Sequence, residues 1–215
     1  MNVISVPFIL LEVVKRSGFM NFYDVDPTKT LLGKKKLDMF QHLISITKNL
    51  EGHVAEVGVY KGGTASLLAR HFKDNFVFLF DTFEGLPGKE ISSDSEEGLF
   101  ASPISEVIKF LDEHDNIIYL KGLFEEQYVA INNIKKFKFV HLDADIENTQ
   151  RLGLEIFYEK LETGGIICLD DYGNPNWPGT KIAADKFCEQ KNIPYPFVSV
   201  AELENKQFQS FIIKS

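Results

Sequence analysis

The alternation of short apolar runs with stretches of helical periodicity constrains the fold of this chain more than any other feature. Residues 76–80 read Phe-Val-Phe-Leu-Phe, and an uninterrupted apolar run of this length is typical of a strand covered on both faces. Strands are predicted over residues 53–58, 76–80, 116–120, 137–142, 165–169, 197–200 and 208–213, and helices over residues 37–50, 64–72, 102–111, 149–161 and 179–190. This order predicts an α/β fold with a Rossmann-like, doubly wound, seven-stranded sheet. We expect the sheet to be mostly parallel, with an antiparallel last strand and helices on both faces.

The charge balance of the chain disfavours two classes of partner. The 215 residues include 23 basic and 31 acidic side chains, which gives a formal net charge of −8. A phosphate backbone and an anionic membrane surface both repel such a chain, so we expect neither nucleic acid nor membrane as a partner. The compact basic run Lys34–Lys36 is interpreted as a solvated helix start.

The two cysteines and the N-terminal residues bear on location and assembly. Cys168 and Cys188 lie in apolar and helical patterns, which is typical of reduced, packed thiols and favours a cytoplasmic protein. Residues 3–11 are mostly apolar but too few to span a bilayer. We expect residues 1–36 to form a helical segment that acts as a lid or a dimer contact, residues 37–215 to form the main domain, and the protein to be a homodimer.

The loop after the first predicted strand has the composition of a small-molecule site. It contains Gly58, Gly62 and Gly63, but Tyr60 stands where the second glycine of a dinucleotide fingerprint would lie. Glu56 would repel a diphosphate but suits a ligand with a cationic ammonium group, such as S-adenosylmethionine. A tight turn without a ligand remains the alternative at this stage.

The second strand ends at Asp81, and an acidic side chain at this place accepts hydrogen bonds from ribose hydroxyls. The stretch from Glu84 to Glu97 is rich in glycine, serine and acidic residues, and it is interpreted either as a mobile loop near the site or as a solvated surface loop. Asp81 and Glu56 together favour a nucleoside ligand over the ends of the first two strands.

Four aspartates follow the fourth and fifth predicted strands. Asp143 and Asp145 end one strand, and Asp170 and Asp171 end the next. Carboxylates that crowd together raise one another's pKa unless a cation is present, and Mg²⁺ or another hard divalent ion takes oxygen ligands. The pattern therefore predicts a divalent-metal site, at which a bound hydroxyl becomes more acidic and a nearby carboxylate takes its proton.

The ordered set of these motifs resembles the class I S-adenosylmethionine-dependent methyltransferases, and more narrowly the macrocin O-methyltransferase (TylF-type) family. The matching stretches are residues 56–63, 81–87, 121–124, 142–145 and 164–172, with Pro178-Gly179, Ala183, Ala184, Asp185 and Phe187 further on. The resemblance implies a methyltransferase domain over residues 37–215 that acts on a hydroxyl of a sugar, polyol or glycosylated small molecule.

The resemblance also implies roles for individual residues. Asp143, Asp170 and Asp171 correspond to the metal ligands, and Asp145 to the general base. The expected cofactor-binding residues are Glu56, Gly58, Tyr60, Gly62, Thr64, Asp81, Thr82 and Asp143. Tyr172, Trp177 and Phe83 are candidates for the acceptor wall.

One residue departs from the family pattern, and three other functions are compatible with parts of the sequence. Glu147 stands where relatives usually carry a tyrosine, so a macrolide acceptor is not implied. The Asp-x-Asp motif is also found in metal-dependent glycosyltransferases and in haloacid-type phosphatases. A non-catalytic S-adenosylmethionine-binding protein is the third alternative.

Overall fold

The computed structural model describes residues 23–88, 97–202 and 207–215. The apolar run at residues 3–11 and most of the predicted N-terminal segment lie outside these ranges, as does the middle of the predicted loop between Glu84 and Glu97. The first helix within these ranges begins at Lys34, so the predicted boundary after residue 36 falls inside a helix. In the described ranges, none of the helices is both long enough and apolar enough to cross a membrane.

Seven strands and six α-helices alternate along the described chain. The strands are β1 His53–Val57, β2 Val77–Asp81, β3 Ile117–Lys121, β4 Phe137–Leu142, β5 Leu161–Asp170, β6 Phe197–Glu202 and β7 Gln207–Ile213. The helices are α1 Lys34–Thr47, α2 Gly63–His71, α3 Ile104–Phe110, α4 Phe124–Gln127, α5 Glu147–Lys160 and α6 Pro178–Lys191, with a 3₁₀ turn at Tyr128–Ile131. All seven of these strands and five of these helices were predicted from the sequence, whereas α4 and the 3₁₀ turn were not.

The strands form one sheet in the order β3-β2-β1-β4-β5-β7-β6. Strands β1 to β5 are parallel, and β7 pairs antiparallel with both β5 and β6. The predicted sheet, mostly parallel with an antiparallel last strand, is therefore confirmed. The order reverses between β1 and β4, and in open α/β sheets a ligand binds in the crevice at such a reversal, beyond the carboxyl ends of the strands.

Two apolar layers cover the sheet, one on each face. Phe78 and Phe80 of β2 belong to the layer that includes residues of α4, α5 and α6, whereas Val77 and Leu79 belong to the layer that includes residues of α1, α2 and α3. Because successive strand residues point to opposite faces, the apolar run at residues 76–80 supplies both layers. The strand ends are thereby held rigidly at one edge of the sheet.

His71, in the last turn of α2, makes the stability of this face depend on pH. Burial, with a smaller effect of Lys48, lowers the pKa of His71 to about 4. An unfolded histidine has a pKa of about 6.5, so between these values the unfolded chain binds more protons than the native one, and stability falls as pH falls. We expect His71→Gln to lose less stability than the wild type between pH 7.5 and pH 5 in urea denaturation. Equal losses in the two proteins would contradict this assignment.

Candidate active site

A cavity of about 250 Å³ opens at the reversal of strand order. The predicted site residues that line it are Gly58, Tyr60, Asp81, Thr82, Asp143, Asp145, Asp170 and Asp171. They come from the ends of β1, β2, β4 and β5, which are separated in sequence and brought together by the parallel sheet. The loops after these strands therefore border the cavity, and the role of the residues in them stays a prediction.

Gly58 allows the ends of β1 and β4 to touch at the floor of the cavity. Its φ is +87°, and a Cβ atom added there would lie 1.9 Å from the backbone oxygen of Asp143. The backbone N–H of Asp143 donates to the carbonyl of Val57 at 2.9 Å, which fixes this approach. No residue with a side chain fits this position without moving one of the two strands.

Asp81 organises the loop that follows β1. Its Oδ2 accepts hydrogen bonds from the backbone N–H groups of Val59 at 2.7 Å and Tyr60 at 3.1 Å, and its Oδ1 accepts one from Phe83 at 2.7 Å. A carboxylate offers about four acceptor positions, so one more is free for a ligand hydroxyl. Thr82 donates its hydroxyl to the Gly85 carbonyl at 2.8 Å beside it.

Three predicted cofactor residues lie outside the cavity lining. Glu56 is fully buried, and its Oε1 lies 2.8 Å from Nδ1 of His141 on the neighbouring strand. Strand alternation turns this carboxylate toward α1 instead of the cavity. Gly62 faces Leu111, and Thr64 is buried within α2.

The four aspartates meet at the inner end of the cavity, as their placement on adjacent strands predicts. Carboxylate oxygens of Asp143, Asp145 and Asp171 all lie within 4.8 Å of one another. Asp145 and Asp171 have φ values of +59° and +55°, which non-glycine residues rarely adopt and which direct both side chains to this point. Burial raises the pKa of Asp143 and of Asp145 well above the usual value, and the neighbouring carboxylates raise them further.

This arrangement fits a divalent cation. Burial and Asp170 also raise the pKa of Asp171, which shows that the carboxylates still repel one another. Asp170 keeps a buried Oδ1 atom without a hydrogen-bond partner in the described structure. An added cation with oxygen ligands would relieve the repulsion.

Lys36 is a site residue that the sequence analysis missed. Exposure to solvent was predicted for both Lys34 and Lys36. The structure confirms it for Lys34, but the prediction is wrong for Lys36, which is 3% exposed. Its Nζ lies 2.5 Å from Oδ2 of Asp170 and 3.6 Å from Oδ1 of Asp171. The signal was present in helical spacing, because Lys36 lies four residues before the buried Phe40.

The loop after β3 supplies a further wall that was not assigned to the site. Residues 122–125 line the cavity, including Glu125 at the start of α4. The Thr149 hydroxyl donates to Oε1 of Glu125 at 2.6 Å, and Asn148 donates to the same atom at 3.3 Å. The rule that ligands bind at strand ends, applied to β3, would have found this wall.

Aromatic side chains form the outer wall, though not all of those expected. Trp177 lines the cavity, with Phe100 6.2 Å away between ring centroids and Tyr60 6.2 Å beyond Phe100. Tyr172 is instead buried, with its hydroxyl donating to Asp185 at 2.7 Å, and Phe83 is 4% exposed in the core.

Glu147, the residue that departs from the family pattern, forms an ion pair outside the cavity. Its Oε1 accepts from Lys186 of α6 at 3.1 Å at the surface, and it does not line the cavity.

Comparisons with known proteins identify the family of this chain. The macrocin-O-methyltransferase (TylF) family profile matches residues 24–204. A curated relative, the demethyldecarbamoylnovobiocin O-methyltransferase of Streptomyces niveus, is 22% identical over 191 residues, covering 80% of this chain and 72% of the relative.

Two solved structures share the fold. The O-methyltransferase NovP has a TM-score of 0.72 at 20% identity, covering 87% of this chain and 82% of NovP. The calicheamicin methyltransferase CalS11, also described as a TDP-rhamnose 3′-O-methyltransferase, has a TM-score of 0.68 at 18% identity, covering 99% of this chain and 94% of its own. The family match, which spans most of the chain, decides between the functions weighed from sequence. The chain belongs to the macrocin-O-methyltransferase (TylF) family and is an S-adenosylmethionine-dependent O-methyltransferase.

Proposed function

We propose that this enzyme methylates a hydroxyl of a sugar, a polyol or a glycosylated small molecule, and that it uses Mg²⁺ or another divalent cation. The group of Asp143, Asp145 and Asp171 at the inner end of the cavity carries this proposal. Its support from relatives is that one acts on demethyldecarbamoylnovobiocin and another on TDP-rhamnose.

The methyl donor would lie over the ends of β1 and β2. Gly58 leaves room for it there, and Asp81 offers its free acceptor position to the ribose hydroxyls. The loop at residues 122–125 would cover the adenine end, because it follows β3, the next strand along the sheet from β2.

Asp143 and Asp171 belong both to the metal set implied by the family resemblance and to the group that the geometry forms. We therefore assign the cation to these two residues first. A bound divalent ion would lower the pKa of the acceptor hydroxyl. Asp145, whose carboxylate lies within 4.8 Å of both, would accept the proton as the oxygen attacks the methyl group, the bond from the methyl carbon to sulfur breaks and S-adenosylhomocysteine leaves.

The charge of the cavity favours a neutral acceptor. Its described lining includes six acidic residues (Asp81, Glu125, Asp143, Asp145, Asp170 and Asp171) against the single basic residue Lys36. Even with a bound divalent cation, the six carboxylates outnumber the positive charges of the ion and Lys36, so a diphosphate would meet repulsion and we favour a glycoside over a nucleotide sugar. The aromatic wall of Trp177 and Phe100 suits the apolar face of a sugar ring or an attached aglycone.

Calorimetric titration of S-adenosylmethionine, followed by methyl-transfer assays, tests the proposal. We expect one-site binding of the cofactor, and turnover that requires Mg²⁺, stops with EDTA and is faster on neutral glycosides than on nucleoside-diphosphate sugars. Methyl transfer that continues at the same rate in EDTA would show that the enzyme does not require a divalent cation. Faster methylation of nucleotide sugars than of neutral glycosides would contradict the proposed preference for a neutral acceptor.

A further inference from the structure

Lys36 lies at the inner end of the cavity although it belongs to α1, far from the aspartates in sequence. Its ammonium is within 2.5 Å of Asp170 and 3.6 Å of Asp171, and 134 residues separate it from Asp170. We propose that Lys36 is a positioning residue that holds Oδ2 of Asp170 and opposes the divalent ion. The proposal rests on the function proposed above.

The distances divide the four carboxylates into two groups. Asp143, Asp145 and Asp171 gather within 4.8 Å, and Asp170 is not part of that group. Asp170 instead holds the Lys36 ammonium through Oδ2. Its Oδ1 is buried without a hydrogen-bond partner in the described structure, so Lys36 occupies one of the two oxygens of a carboxylate that the family resemblance assigns to the cation.

Packing holds Lys36 in this place. Phe40 and Ile44, one and two turns further along the same face of α1, are fully buried against the sheet. Lys36 shares that face and is 3% exposed, so the packing of α1 on the sheet holds its ammonium beside the aspartates. Leaving Asp170 without this partner would place an uncompensated charge in the interior.

A fixed ammonium beside Asp171 must weaken the binding of a second cation at the same carboxylate. Like charges a few ångströms apart repel strongly in a partly buried site. Removing Lys36 also frees Oδ2 of Asp170 to act as an oxygen ligand. Both effects act in the same direction, so the loss of Lys36 tightens divalent binding.

Titration calorimetry of Mn²⁺ into the full-length chain tests this directly. We expect Lys36→Met to bind Mn²⁺ at least about tenfold more tightly than the wild type. Lys34→Met is the matched control, because Lys34 begins the same helix but pairs with Asp38 at the surface; its affinity should stay within about twofold of the wild type. A purely structural role for Lys36 would leave affinity unchanged or lower it.

A second variant protects the test against misfolding. Lys36→Gln removes the positive charge but keeps an amide that can donate a hydrogen bond to Asp170, and it too should bind Mn²⁺ more tightly than the wild type. Equal or weaker binding in whichever of the two variants shows native circular dichroism overturns the proposal.

The same preparations separate this proposal from the proposed function. If the wild type and the variants all bind S-adenosylmethionine but none binds Mn²⁺, the proposed role of Lys36 and the proposed divalent cation are both wrong. The assignment as a methyltransferase would still hold. Mn²⁺ binding detected only in the variants would support the role of Lys36.

Discussion

Replacing Asp145 by asparagine is expected to lower kcat by about 10²- to 10⁴-fold, the usual contribution of a positioned general base. Asparagine has nearly the same shape and tolerates positive φ better than most residues, so the backbone at φ +59° should be retained. It cannot accept the hydroxyl proton. Turnover on the best acceptor, compared between variant and wild type at saturating S-adenosylmethionine, measures the effect.

Binding measurements on the same variant show whether Asp145 acts as a base or as a ligand. Affinity for S-adenosylmethionine should stay within about threefold of the wild type, because Asp145 lies on the metal side of the cavity, away from Asp81. Asp112→Asn, at an exposed position beyond α3, is the matched control and should keep full turnover. Unchanged kcat in Asp145→Asn would remove the base assignment, whereas loss of Mn²⁺ affinity would move Asp145 into the ligand set.

The parts of the site that could be predicted from sequence share one physical origin. A parallel sheet places the residues that follow its strands at a single edge, so the strand assignments alone brought Asp81, Asp143 and Asp171 together. Gly58 was expected in the site because a glycine lets the backbone approach a ligand, and the structure shows in addition that it lets the ends of β1 and β4 touch.

The parts that could not be predicted depend on partners distant in sequence. Glu56 was expected at the cofactor, but its register places it beside His141, and 85 residues separate the two. Lys36 was assigned to solvent because charged residues at a helix start usually lie there. Its burial depends on Asp170, and only the packing of α1 on the sheet reveals that partner.

Gly58→Ala is expected to destabilise the fold by about 3 kcal/mol and to abolish cofactor binding. The left-handed φ of +87° costs an alanine about 1–2 kcal/mol, and the added Cβ would lie 1.9 Å from the Asp143 carbonyl oxygen. Forcing apart two packed strands adds about 1–3 kcal/mol. The displaced strand ends would also carry Asp143 away from Asp171. Urea denaturation and calorimetry with S-adenosylmethionine measure the two effects.

Gly164→Ala separates backbone strain from the clash. Gly164 has a φ of +81°, but a Cβ there would only touch Leu50 at an ordinary 3.7 Å, and the position lies far from the cavity at the other end of β5. It should lose about 1 kcal/mol of stability and keep full cofactor affinity. If both alanine variants lose the same stability and both bind the cofactor, the contact between the ends of β1 and β4 is not what shapes the site. If only Gly58→Ala loses cofactor binding, the cofactor site depends on the contact between the ends of β1 and β4. The loss of stability in Gly58→Ala then arises from the clash at that contact.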